Sequence, residues 1–156
     1  MILRFEYLEE PLRTAPPPSL EPQAIARWRP LVPLRIIGPH GRYREFNRAV
    51  LDPGSDDCVF PLDAAALVGV SFLPYQGHML RWRGQRYSLR FGQVDLELAD
   101  EAAAFRWPAV VGFSPAPVRY PLLGNAGCLA FFDVTFLGDP RIVELEANTS
   151  FPGTIT

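Results

Sequence analysis

The chain has 156 residues, a formal net charge of −2, 48% hydrophobic residues and 21% charged residues. This length is typical of one domain, and a charge near zero gives no indication of a nucleic-acid or anionic-membrane partner. No apolar run approaches the roughly 20 residues of a membrane-spanning helix, and the early acids of "MILRFEYLEEPLR" do not fit a secretory signal. We therefore expect a cytoplasmic protein without membrane or nucleic-acid partners.

The two cysteines and the two histidines do not form a metal-ligand pattern. Cys58 and Cys128 are far apart without metal spacing, and His40 and His78 have no second ligand nearby in the sequence. Such cysteines are typical of buried thiols in a reducing compartment. We predict no metal site and no cofactor.

The chain begins with a proline-rich region and continues as β-prone segments. Residues 1–27 contain "TAPPPSLEPQ", which favours an extended arm, so we predict a folded domain over 28–148 and a tail over 149–156. Within the domain, "PLVPLRII" and "RYREFNRAVL" are separated by "GPHG", a pattern that predicts a β-hairpin.

The middle of the chain predicts a short strand, a helix and a second hairpin. "CVF" is the strand, and the alanines of "PLDAAALVGV" favour a helix that ends at Gly69. "HMLRWRGQRYSLRFGQVDLEL" alternates like a hairpin with Gly84 near its tip. The alternation slips by one residue at Gly92, which predicts a β-bulge there.

The last third adds a strand, a short helix and a final hairpin. "FRWPAVVGF" is the strand, and "LLGNAGCLAFF" is a strand end that leads through two glycines into the helix. "DVTFLGDPRIVELEA" predicts the hairpin. The whole pattern indicates a mainly β protein with two short helices.

One turn carries an unusual density of acids. In "AVLDPGSDDCVFPLD", residues 49–63, the carboxylates of Asp52, Asp56 and Asp57 fall between two apolar segments. Asp, Pro, Gly and Ser are common turn formers, so an ordinary surface turn is the simplest interpretation of this stretch taken alone.

The order of the segments resembles the retropepsins, the single-domain aspartic proteases that include the retroviral proteases and bacterial relatives. The family's Asp-Thr/Ser-Gly-Ala/Ser motif is matched by Asp52-Pro53-Gly54-Ser55, and its two apolar residues and glycine before a short helix are matched by Leu122-Leu123-Gly124. The "Arg-Pro-Leu-Val" of the viral N-terminal strand is matched from Arg29 onward. The resemblance covers roughly residues 28 to 147 and implies a retropepsin-like closed β-barrel with two short helices.

The resemblance implies peptide-bond hydrolysis. Two aspartates around one water share a proton, because two like charges so close cannot both ionise comfortably. One accepts a proton from the attacking water, and the other donates to the peptide carbonyl oxygen. This chain has one suitable segment, so the resemblance implies a C2 homodimer in which Asp52 of each copy meets at the axis.

Further roles follow from the same resemblance. Gly54 permits close backbone approach, Ser55 matches the small position, and Asp56 and Asp57 match positions that hold the substrate main chain. Arg29 matches an arginine that pairs with an aspartate of the other subunit. The alternatives are a solvated turn for the two aspartates and a surface position for Arg29.

Residues 78–91 resemble the flap that closes over the substrate. Trp82 and Gly84 would then contact substrate, although ordinary strand packing is the favoured interpretation of Trp82. Arg81, Arg83 and Arg86 are interpreted as a solvated face.

Two positions depart from the family pattern. Asn125-Ala126 replaces Arg-Asn after Leu-Leu-Gly, so a pairing partner for Asp56 is missing. Pro53 replaces a Thr or Ser whose hydroxyl and N–H clasp the two subunits, and proline has neither group. Three hypotheses therefore stay open: an aspartic endopeptidase, a catalytically impaired peptide-binding or dimerisation module of the same fold, and an unrelated small β domain.

Overall fold

The protein is mainly β. The computed structural model describes residues 1–74 and 77–156, with 52% of residues in strands and 6% in helices. The helices are α1 (Leu62–Val68) and a three-residue 3-10 helix, Leu129–Phe131. In chain order the strands are β1 (Ile2–Glu6), β2 (Leu8–Pro11), β3 (Ala26–Arg29), β4 (Leu31–Ile37), β5 (Tyr43–Leu51), β6 (Val59–Pro61), β7 (Met79–Trp82), β8 (Gln85–Ser88), β9 (Arg90–Ala99), β10 (Ala104–Ser114), β11 (Leu122–Leu123), β12 (Phe132–Leu137), β13 (Ile142–Ala147) and β14 (Thr154–Ile155).

Six strands close into a barrel. They follow the order β10-β6-β11-β5-β4-β9, and β9 pairs back onto β10. Alternate residues of β10 face inward, so that Phe105, Trp107 and Phe113 are fully buried. The indole N–H of Trp107 donates a hydrogen bond to the Gly127 carbonyl at 2.7 Å, which satisfies the one polar atom this side chain brings into the core. The predicted mainly β class with a closed barrel and two short helices is thus confirmed.

Most of the predicted local elements are also confirmed. β4 and β5 form the first hairpin, and β12 and β13 form the last. Helix α1 ends at Gly69, which adopts φ 77°, a left-handed conformation that favours glycine at a helix end. The predicted hairpin over 78–98 is divided: β7 pairs with β8, and after Leu89 the chain continues as β9 within the barrel.

The predicted β-bulge at Gly92 is wrong. The pairing of β9 with β10 runs without a shift from Arg90 opposite Phe113 to Ala99 opposite Ala104. Gly92 takes a buried, inward position, where an added Cβ would overlap the side chain of Val70. A glycine at an inward position breaks the apolar alternation without breaking the register. The register shifts instead in the first hairpin, where the pairing of β4 with β5 is irregular between Val32 and Leu34.

The segments predicted as an arm and a tail both pair with the rest of the protein. β1 pairs with β13 and buries Leu3 and Phe5 in the main core, while β2 pairs with β3. β14 pairs with β10. The proline-rich stretch over 12–25 contains no strand or helix. The division of the chain at residues 27 and 148 stays a prediction, but both flanking segments contribute to the packing.

A buried glutamate ties the N-terminal region to the barrel. Glu10, only 8% exposed, accepts a hydrogen bond from the Tyr120 hydroxyl at 3.0 Å. Its oxygens also lie 3.2 Å from Arg29 Nη1 and 3.3 Å from Arg119 Nη1. Burial acts to raise the pKa of Glu10, but the Tyr120 hydrogen bond and the two guanidinium charges outweigh it, so the pKa is lowered.

None of the helices in residues 1–74 and 77–156 has both the length and the hydropathy that a bilayer-spanning helix needs.

We expect the Glu10 cluster to make stability pH-dependent. A folded-state pKa below the unfolded value gives stability that is present above about pH 4.5, the ordinary value, and is lost as pH falls through the folded-state pKa. Glu10→Gln should lower the free energy of unfolding by about 1–2 kcal/mol at neutral pH, because charged hydrogen bonds are lost. The difference between the two proteins, measured by urea unfolding, should shrink toward low pH. Exposed Glu9→Gln is the control, and an equal effect of both variants would contradict the cluster's role.

Candidate active site

The chain turns sharply at the end of β5, directly after the buried Leu51. The Asp52 backbone N–H donates to the Leu123 carbonyl at 3.0 Å, which fixes the start of the turn. The Asp52 carboxylate accepts a hydrogen bond from the Gly54 N–H at 2.9 Å, and the Ser55 N–H donates to the Asp52 carbonyl at 3.1 Å. This is the turn geometry that Asp favours. It holds Asp52 Oδ1 in place, while Oδ2 makes no hydrogen bond to any residue that the structure describes.

The Leu-Leu-Gly strand is inserted between the two strands that flank the Asp52 turn. β11 pairs in parallel with β5 and antiparallel with β6 at Leu122 and Val59. The backbone of Gly124 passes so close to the turn that an added Cβ would overlap the Asp57 carbonyl and lie 2.7 Å from the Ser55 oxygen. The two motifs that were recognised separately in the sequence therefore form one packed unit.

Three hydrogen bonds clasp this unit. The Asn125 N–H donates to the Ser55 carbonyl at 2.9 Å, and the Ala126 N–H donates to the Asp56 carbonyl at 2.8 Å. The Asn125 side-chain amide donates to the Pro53 carbonyl at 2.9 Å. Asn125, which the sequence indicates only as a departure from the family pattern, is thus a supporting residue of the Asp52 turn. In the sequence, the sign of this role was an amide side chain that lies between Gly124 and Gly127.

The remaining turn residues differ in how they are held. Ser55 Oγ donates to the Asp57 carbonyl at 2.7 Å, a bond that a small hydroxyl can make and an alanine cannot. Asp56 is exposed and forms no ion pair within residues 1–74 and 77–156. Pro53 and Gly54 are exposed at the tip of the turn. The structure therefore places the predicted motif residues together, with Asp52 and Asp57 partly buried and Asp56 in solvent.

Asp57 connects the turn to the hairpin above it. Asp57 Oδ2 lies 3.3 Å from Nε2 of His78, the residue immediately before β7. The His78 ring also meets the edge of the Phe91 ring at 5.4 Å between centroids. The sequence treats His78 as isolated, because its partner is distant along the chain. It holds the base of the β7–β8 hairpin against the Asp52 turn.

The hairpin and the turn enclose a cleft of about 330 Å³. Its polar side is formed by the three aspartates and His78, and its apolar side by Val59, Leu80, Trp82, Leu89 and Leu122. Trp82 therefore lines the cleft and also packs against its apolar wall. The Trp82 indole N–H is buried and has no acceptor among the residues described. A buried donor without a partner is costly to the folded state.

Two predicted residues lie away from the cleft. Gly84 (φ 77°) forms the turn of the β7–β8 hairpin together with Arg83 (φ 49°), the backbone that a two-residue hairpin loop requires, and it is not among the lining residues. Arg29 pairs with Glu10 of its own chain. Its contact with a second subunit and the contact of Gly84 with substrate stay predictions.

The two cysteines pack behind the turn. Cys58 and Cys128 are both buried free thiols, as predicted, and the Cys58 thiol donates to the Ala126 carbonyl at 3.5 Å. The neighbouring Cys58 side chain, together with burial, raises the pKa of Cys128 well above its usual value. Unreactive thiols of this kind contribute packing. Within residues 1–74 and 77–156, no three or more His, Cys, Asp or Glu side chains are grouped as metal ligands.

We predict that Asn125→Ala loosens the Asp52 turn. The variant removes the bond to the Pro53 carbonyl and should cost about 1 kcal/mol of stability. Amide hydrogen exchange at Gly54 and Ser55 should become faster. Asn148→Ala is the matched control, because the Asn148 amide also donates to a backbone carbonyl, at 3.1 Å, but away from the turn. Equal exchange rates at Gly54 in both variants would contradict this role of Asn125.

Comparisons with known proteins give no identification. No protein-family model matches the chain, no curated protein matches it, and no solved structure matches it. The residues of the cleft and the two motifs at its floor are therefore the features that bear on function.

Proposed function

We propose that this chain is a retropepsin-like aspartic endopeptidase that works as a homodimer and hydrolyses peptide bonds of a peptide or protein substrate. The observation that carries the proposal is the packing of the Asp52 turn against Leu122-Leu123-Gly124. These are the two motifs on which the resemblance rests, and they lie far apart in the chain. Their backbones are hydrogen-bonded at the floor of a cleft that a hairpin covers.

The proposed chemistry requires a second Asp52. A single carboxylate cannot both accept the proton of a water and donate one to the substrate carbonyl at the same moment. Two copies related by a two-fold axis supply two aspartates that share one proton. The Gly54 N–H supports this arrangement, because it holds Oδ1 of Asp52 and leaves Oδ2 for the water.

The cleft walls support an extended substrate with apolar side chains near the reacting bond. Leu80 and Trp82 on the hairpin pack against Val59, Leu89 and Leu122, and all five side chains belong to residues that line the cleft. Closure of the hairpin would exclude water from the reacting groups, which strengthens every electrostatic interaction there.

A catalytically impaired peptide-binding or dimerisation module is the second candidate, and Pro53 favours it. Pro53 has no N–H, and Asn125 already occupies its carbonyl. Residues of the same chain hold the turn in place. Pro53 itself cannot form the hydrogen bonds between subunits that the family forms at this position. The same cleft would then bind peptide without holding two aspartates rigidly enough for hydrolysis.

We expect acid-favoured peptide cleavage that depends on Asp52. Cleavage of an unstructured protein substrate should be faster below neutral pH, because one member of the pair must carry a proton. Asp52→Asn should abolish cleavage, since an amide cannot accept the proton of the water. Asp139→Asn, in an exposed hairpin turn, is the control and should cleave like the wild type. Residual cleavage of the same bonds by Asp52→Asn would contradict the proposed role of Asp52.

We also expect Pro53→Thr to tighten a weak dimer. The hydroxyl and N–H of threonine would add two hydrogen bonds per subunit, each worth about 1 kcal/mol. The freed backbone works against this gain by roughly 0.4–1 kcal/mol per chain. Sedimentation over a range of concentrations should give a lower dissociation constant for the variant. If the wild type stays monomeric at high concentration and the variant does not associate, position 53 does not face a second copy.

A further inference from the structure

One face of the β7–β8 hairpin carries a cluster of arginines without carboxylate partners among the residues that the structure describes. Arg81 and Arg86 lie directly opposite each other in the antiparallel register, and Arg83 occupies the turn. All three are exposed, and none forms an ion pair within the described part of the chain. Residues 78–91 contain no Asp or Glu. We call Arg81, Arg83 and Arg86 the arginine face.

This arrangement is unfavourable in the isolated chain. Like charges directly opposite each other on a two-stranded ribbon repel, and such a ribbon has little stability of its own. The sequence alone is compatible with a solvated face. The structure shows in addition that Arg81 and Arg86 are cross-strand neighbours, so that two guanidinium groups share one face of the hairpin with no carboxylate between them.

We propose that the arginine face binds an acidic segment of polypeptide. Guanidinium groups bind carboxylates through paired, charge-assisted hydrogen bonds. A carboxylate placed between Arg81 and Arg86 converts their repulsion into attraction to a shared partner. β7 and β8 form a sheet of only two strands, so an extended segment can add along its edge. In such a segment every second side chain points to the same face, which suits alternating acidic residues.

The cleft beneath the hairpin favours polypeptide over nucleic acid. Arg81 also lines the cleft, whose floor holds Asp52, Asp56 and Asp57. Every nucleotide carries a phosphate, so a nucleic acid reaching the arginine face would bring negative charge next to these carboxylates. A polypeptide can be acidic where it meets the arginine face and neutral where it approaches the cleft. This inference does not depend on hydrolysis and holds equally for a binding module.

The test uses a fluorescein-labelled peptide of alternating Glu and Ser and fluorescence anisotropy with the full chain. We expect binding that weakens strongly between about 50 mM and about 300 mM NaCl, because exposed charges are screened. R81Q/R86Q should weaken binding about tenfold or more, as expected for the loss of charged hydrogen bonds. R81K/R86K should retain most of the affinity. R13Q/R27Q removes the same charge from two exposed arginines elsewhere and should change affinity less than about twofold.

Several results would overturn the proposal. The first is that the wild type does not bind the peptide at low salt, and the second is that R81Q/R86Q and R13Q/R27Q lose equal affinity for it. The third is that a single-stranded oligonucleotide of equal length binds more tightly than the peptide, in a way that depends on Arg81 and Arg86. Thermal unfolding, monitored by circular dichroism, distinguishes a variant that has lost binding from one that has lost stability. R81Q/R86Q should melt no lower than R13Q/R27Q, because it removes a repulsion. A clearly lower melting temperature would show that the arginines stabilise the fold, and would contradict the proposal.

Discussion

The insertion of β11 between β5 and β6 is the contact on which the rest of the site depends. β5 and β6 are consecutive in the chain, but β11 lies between them in the sheet. The segment that connects β5 to β6 must therefore pass over the end of β11. That connection is the Asp52 turn. It can lie there only because Gly124 has no side chain, since a Cβ would occupy the place of the Asp57 carbonyl. The barrel core thus determines where the carboxylate sits.

Around this contact, three separate parts of the chain stabilise one another. Asn125 holds the turn from below through the Pro53 carbonyl, and the Asp57–His78 pair holds the hairpin above it. The hairpin in turn brings Trp82 to the apolar wall of the cleft. Each of these bonds is modest in energy, but together they fix a carboxylate and an apolar wall within one cleft.

The sequence predicts the elements and the motifs well, because these depend on local patterns. The two barrel-forming segments of the first hairpin, the helix that ends at Gly69 and the Asp52 turn are examples. Contacts between distant residues were not predictable: Asp57 with His78, or Glu10 with Arg29 and Arg119, depend on how the barrel closes. The bulge predicted at Gly92 was wrong for a related reason, since only the tertiary packing against Val70 reveals that this glycine takes an inward position.

The proposed mechanism requires Asp52 to pair with its counterpart in a second copy. A crystal structure, from crystals grown at mildly acidic pH, would give the distance between the two Asp52 carboxylates. We expect a C2 dimer in which both carboxylates lie within hydrogen-bond distance, about 2.6–3.2 Å, of one shared water. A structure in which copies associate through another surface, with each Asp52 facing bulk solvent, would contradict it.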